Sequence, residues 1–194
     1  RLGGAGIVPA DDFTFGKARK GNVDLLRSVG AKHGLSTEIV SAIGDSDDII
    51  SSSRIRDALQ DGRCEEANRL LTRPFTIEGT VIHGDKNGRK LGVPTANIDM
   101  DHYLRPKYGI YAVKGRLPDG RVLDGAANLG VRPSFDPPKE LLEPYFFDFA
   151  EDLYGQTIEV ELHHFLRSEQ KFDDLDALKE QMEQDCALAR EWLA

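Results

Sequence analysis

From Phe75 onward the chain changes its period. TIEGTVIHG (76–84), KYGIYAVKGRL (107–117), RVLDGAANL (121–129), LLEPYFFDF (141–149) and TIEVELHHFL (157–166) are five short runs. They are rich in β-branched and aromatic residues with approximate two-residue alternation, and the segment around TANI (95–98) offers a sixth. No helical run separates them, which points to an antiparallel barrel or sandwich. LPDGR (117–121) places Pro and Gly where a turn between two strands needs them. The last stretch, FDDLDALKEQMEQDCALAREWL, is a helix by period: Leu175, Leu178, Met182, Cys186, Ala189 and Leu193 fall on one face, and Asp173 with Asp176 forms a capping-box pattern.

The first 72 residues read differently. Asn22 suits the N-cap of a helix through VDLLRSVGAKHG, TEIVSAI (37–43) reads as a strand, and a serine cluster opens a second helix ending near Gly62. CEEANRLL is a further helix. This alternation favours an α/β layer. The boundary between the two parts falls at Arg73-Pro74, because proline disfavours helix at the preceding residue. The chain opens at Arg1 with LGGAGIVPADDF, which reads as the interior of a longer protein.

Composition narrows the classes of function. A net charge of -8, with one compact basic run, KARK at 17–20, argues against a nucleic-acid surface or an anionic-membrane surface. No run approaches the roughly 20 apolar residues of a membrane helix. The two cysteines, Cys64 and Cys186, have no metal-ligand spacing and read as ordinary thiols of a reducing, cytoplasmic compartment.

Three segments carry candidate chemistry. In HGDKNGRKLGVPTANI (83–98), Gly84, Gly88 and Gly92 allow close backbone approach to a polyphosphate, and Lys86, Arg89 and Lys90 add positive charge; a glycine-rich surface hairpin is the alternative. Neither GxxxxGK[ST] nor GxGxxG occurs in the sequence. Pro94 stiffens the approach to Thr95 and Asn97, whose oxygens point to one side of an extended segment and suit a hard divalent cation; an N-cap or Asx turn uses the same residues. Glu143 stands among apolar and aromatic residues on a predicted strand, where desolvation favours a general base, and an outward, solvated carboxylate is the alternative. A phosphate cradle, oxygen ligands and a base together are what phosphoryl transfer to an alcohol requires.

GTVIHGDKNGRKLGVPTANI, YGIYAV, NLGVRPSF, LLEPYFFDF, DLYG and FLRSEQKFD follow one another in an order and spacing that resembles the riboflavin kinase domain of bacterial bifunctional riboflavin kinase/FAD synthetases. The resemblance implies an α+β chain: a six-stranded antiparallel barrel with a C-terminal helix over 73–194, preceded at 1–72 by part of an α/β nucleotidyltransferase domain. It implies ATP and riboflavin as substrates, ADP and FMN as products, and Mg2+ near Thr95 and Asn97. It also implies Glu143 as base on the ribityl 5'-hydroxyl, and flavin beneath NLGVRPSF and the start of the last helix. ISSSRIR, with Ser51, Ser52, Ser53 and Arg56, resembles the phosphate-binding signature of the FAD synthetase half, and a helix N-terminus after serines suits an anion.

The HxGH-type motif of that half has no counterpart in the 194 residues, so the expected activity is riboflavin phosphorylation to FMN without FAD formation. FMN adenylyl transfer in a longer parent, or a flavin-binding module without turnover, are the competing readings. No nucleic acid or membrane partner is expected, and the oligomeric state stays open. His163 and His164 alternate across a strand and cannot share a metal, whereas Trp192, Phe146, Phe147 and Phe149 read as core.

Overall fold

A computed structural model describes residues 4–46, 48–83, 95–132, 138–172 and 174–194. The chain divides into two compact units, 1–51 and 52–194. The first contains a two-stranded parallel sheet, β1 (Gly6–Ile7) and β2 (Ser36–Thr37), flanking helix α1 (Val23–Lys32). Asn22 caps α1 as its sequence predicts, its side chain accepting from the Leu25 amide at 3.0 Å. The strand expected over 37–43 is far shorter: beyond Thr37 only Val40 bridges, to Ala10. Val40 and Ile43 are 50% and 71% exposed, so the apolar run that suggested a strand is not packed as one in this unit.

The second unit begins at Ser52, ahead of the division drawn at 72/73 from sequence. Helices α2 (Ser52–Gln60) and α3 (Cys64–Leu71) precede five long strands and one short one: β3 (Phe75–Thr80), β4 (Ile98–Asp99), β5 (Gly109–Arg116), β6 (Val122–Arg132), β7 (Lys139–Phe146) and β8 (Thr157–Ser168). They form one antiparallel sheet in the order β3-β8-β5-β6-β7-β4. An Ile82 to Asn97 bridge, with the Ile82 amide donating to the Asn97 carbonyl at 2.8 Å, ties the two ends together into a nearly closed barrel. The expected turn at LPDGR forms around Gly120 at φ 89°, a left-handed conformation that favours glycine. Asp119 accepts there from the Arg121 amide at 3.0 Å.

Alternation decides what fills the barrel. Ile77, Tyr111, Val113, Leu129, Leu142 and Leu162 point inward and are fully buried. The α2 and α3 pair is pinned to the barrel by Asn68, whose amide donates to the Leu162 carbonyl while its oxygen accepts from the Phe75 amide, both at 2.8 Å. Burial in this core pushes the Cys64 thiol up to about 12, so it stays protonated at neutral pH.

Helix α4 (Leu175–Leu193) covers part of the outer face, where Ala189, Cys186 and Leu193 pack on Ala112, Ala126 and Phe147. Its cap is Asp174, which accepts from the Ala177 amide at 2.8 Å; Asp173 lies outside the described residues. Two features depart from the predicted apolar face: Leu175 is 67% exposed, and the buried Asp185 sits within it. Phe146 and Phe147 are core and Phe149 packs partly buried against it, but Trp192 is 54% exposed and stacks on His164. The two neighbouring histidines do take separate partners, Glu161 for His163 and Glu65 for His164.

Candidate active site

The site is built from the register of three strands. On β7, Leu142 and Phe146 join the core, so Glu143 and Tyr145 take the opposite face, and Tyr145 packs against the cluster under α4. Glu143 pairs across the sheet with Asn128 of β6. On its other side β4 pairs Ile98 with Leu142, and the Ala96 amide donates to the Pro144 carbonyl at 2.9 Å. Continuing that register by one residue sets Asn97 opposite Glu143. Ala96 and Ile98 belong to the core, which leaves Thr95 and Asn97 on the same face as Glu143. Residues so paired have Cβ atoms about 4.5–5.5 Å apart.

One of these polar groups lacks the partner that burial demands. Asn97 is 5% exposed. The side-chain oxygen of Asn128, Oδ1, is buried and, among the described residues, without a partner. Glu143, with a side chain 20% exposed, is not isolated among apolar groups as its neighbours in sequence suggest. Two nitrogens of Arg132, Nε and Nη2, meet its Oε2. Among the described residues nothing donates to Oε1. The arrangement is thus a carboxylate held through one oxygen, flanked by Asn97 and by Asn128, whose side-chain oxygen has unspent hydrogen-bonding capacity.

Thr95, Asn97 and Glu143 are therefore brought together. Gly84, Gly88, Arg89, Lys90, Gly92 and Pro94 lie outside the described residues, as does the 133–135 part of NLGVRPSF. Ser52, Ser53 and Arg56 are exposed along the start of α2, and Ser51 is exposed just before it. Sequence reasoning did not single out Arg132, Asn128 or Glu169, although all three stand inside the segments quoted above. The observed β6 runs three residues past the predicted 121–129, which puts Asn128 and Arg132, four apart, on one strand face.

A family model described as Flavokinase: Riboflavin kinase matches residues 71–193. The chain belongs to the riboflavin kinase family. A second model, FAD_syn: FAD synthetase, matches residues 1–54. The Bifunctional riboflavin kinase/FMN adenylyltransferase of Haemophilus influenzae is 42% identical over 180 residues, covering 93% of this chain and 58% of that protein. The protein of the same description from Bacillus subtilis is 42% identical over 183 residues, covering 92% and 57%. This riboflavin kinase family member thus spans somewhat more than half the length of the curated relatives it matches. A crystal structure from Streptococcus pneumoniae, described as a macrolide-efflux protein, superposes with a TM-score of 0.81 at 34% identity, covering 94% of this chain and 59% of that one. The six-stranded antiparallel barrel with a C-terminal helix is the fold expected of the riboflavin kinase resemblance.

Proposed function

We propose that the 194 residues carry an ATP:riboflavin 5'-phosphotransferase, with 73–194 as the riboflavin kinase domain and 1–72 as part of an FAD synthetase domain. The observation that carries this reading is the register that sets Asn97, Glu143 and Asn128 side by side on one face of the barrel, in a chain whose residues 71–193 match the riboflavin kinase model. Glu143 accepts the proton of the ribityl 5'-hydroxyl on its free Oε1. The hydroxyl oxygen then attacks the γ-phosphorus of ATP, and the bond to ADP breaks, leaving FMN. Little covalent work falls to the protein, which contributes position and charge.

The donor set suits a magnesium ion, because Thr95 and the buried Asn97 present oxygens on one face, beside the unpartnered side-chain oxygen of Asn128. When bound, magnesium supplies neutralisation of the phosphate charge. Thr95 and Asn97 orient the phosphates relative to Glu143. By their sequence, Gly84, Gly88, Arg89, Lys90, Gly92 and Pro94 supply amides and cations to the same phosphates. The ATP requirement and the free thiols fit a cytoplasmic enzyme.

Thr95→Ala and Asn97→Ala are each expected to weaken magnesium-dependent ATP binding by about 10- to 100-fold, the loss of one charge-assisted contact. Thermal melting should change little, since each removes only a small side chain that holds no other element in place. Calorimetric titration of MgATP tests this, and unchanged affinity in both variants would reduce the PTAN segment to a turn.

The match of residues 1–54 to the FAD synthetase model favours a second reading, adenylyl transfer to FMN in a longer protein. Incubating the chain with ATP, magnesium and riboflavin and separating the flavins distinguishes the two. FMN without FAD is expected, because the 194 residues contain no HxGH motif. Absence of FMN from folded protein would overturn the kinase reading, and formation of FAD would establish the second.

A further inference from the structure

Arg132, the last residue of β6, holds its guanidinium between two carboxylates brought from different parts of the barrel. Nε and Nη2 take Glu143, while Nη1 donates to Oε1 of Glu169, just beyond β8, at 3.2 Å. Arg132 and Glu143 have side chains only 21% and 20% exposed, so neither charge is well hydrated. Burial works against the Arg132 charge, but the hydrogen bonds and proximity of Glu143 and then Glu169 outweigh it and hold its pKa above the ordinary arginine value. Gly130 shapes the same arrangement. A Cβ there would stand 2.1 Å from the Glu169 Oε1 atom, so only a glycine lets that carboxylate lie against β6.

The geometry points to Arg132 and Glu169 as positioning residues for the base: Arg132 fixes Glu143 through Oε2, and Glu169 holds the Arg132 guanidinium from its other side. This rests on the reading of Glu143 as the base. In the reaction the O–H bond of the 5'-hydroxyl breaks, its proton bonds to Glu143 Oε1, and its oxygen bonds to the γ-phosphorus. The electron pair of the broken P–O bond leaves with ADP, and Glu143 later returns the proton to solvent. A half-buried guanidinium held by one carboxylate alone could pivot about it and carry Glu143 out of line. Glu169 anchors Nη1 on the opposite side, and so fixes the direction from which Nε and Nη2 meet Glu143.

The test compares single-turnover FMN formation in Arg132→Ala, Arg132→Lys, Glu169→Gln, Gly130→Ala and Glu143→Gln, with riboflavin and ATP affinities measured separately. Arg132→Ala is expected to slow turnover by about 10²-fold, the scale of a misplaced catalytic group, with ligand affinities nearly unchanged. Added guanidinium ion should restore part of that rate, and Arg132→Lys should lie between the two. Glu169→Gln should slow the step by about tenfold, and Gly130→Ala should follow it, since the new methyl displaces the same carboxylate.

Should Arg132→Ala melt well below the parent, Glu169→Gln and Gly130→Ala decide the matter, because both keep the guanidinium. Parent rates in Arg132→Ala or in Glu169→Gln, with Glu143→Gln inactive, would overturn this inference and leave the base assignment standing. Slowing of a folded Arg132→Ala without guanidinium rescue would assign it a merely structural role and overturn the inference as well. A fully active Glu143→Gln would instead remove the reading beneath it.

Discussion

Glu143→Gln is expected to lower the turnover of riboflavin phosphorylation by about 10²- to 10⁴-fold, the usual cost of losing a general base. The substitution keeps the size of the side chain and one carbonyl oxygen for Arg132, so the ends of β6 and β7 stay joined. It removes the ability to take a proton. Because that loss is felt mainly in the transition state, kcat should fall while titrations still show riboflavin and MgATP binding near parent affinity. A variant that turns over at the parent rate would make Glu143 a structural partner of Arg132. One that loses ligand binding as well would show that the carboxylate builds the pocket more than it serves the chemistry.

The second large effect lies away from the site. Asp185 is 4% exposed on the face of α4 that meets the barrel. It receives Arg167 Nε at 2.8 Å and Nη2 at 2.6 Å, and also the Gln181 side-chain amide at 3.1 Å. Asp185→Ala strands the Arg167 charge under the helix and should cost about 3–5 kcal/mol of stability. Replacing both, as Arg167→Met with Asp185→Leu, removes the stranded charge and should recover most of the loss, because apolar pairs of similar volume often match a buried ion pair. Urea unfolding followed by the fluorescence of Trp192, the single tryptophan and a residue of α4, measures both. If Asp185→Ala unfolds at the parent midpoint, α4 is held by its apolar contacts alone.

The barrel was legible because its strands announce themselves locally. Alternating β-branched and aromatic residues, with LPDGR between two of them, fix where β5 and β6 lie and how they turn. The first unit was less legible, since TEIVSAI has the composition of a strand but its Val40 and Ile43 side chains face solvent. Composition alone cannot tell an apolar residue that packs from one that does not.

The site followed the same division. Thr95, Asn97 and Glu143 could be chosen by residue type and strand context. Their juxtaposition depends on β4 and β6 both pairing with β7, and such long-range register is not written in any one segment. Arg132 reaches Glu143 across 11 residues and Glu169 across 37, and Arg167 reaches Asp185 across 18. A carboxylate that looks isolated among Leu, Pro and Tyr in the sequence is therefore ion-paired in the fold. The same blindness hid Asp185, which by helical period alone looks like an error in an apolar stripe.

The central claim is that this face of the barrel transfers the γ-phosphoryl group of ATP to riboflavin. It is tested most directly by a single turnover of the purified chain with γ-labelled ATP, magnesium and riboflavin, following the label. The account predicts label in FMN, at the 5'-phosphate, with one ADP released per FMN formed. Label recovered only as inorganic phosphate, or remaining in ATP while riboflavin is bound, would contradict it.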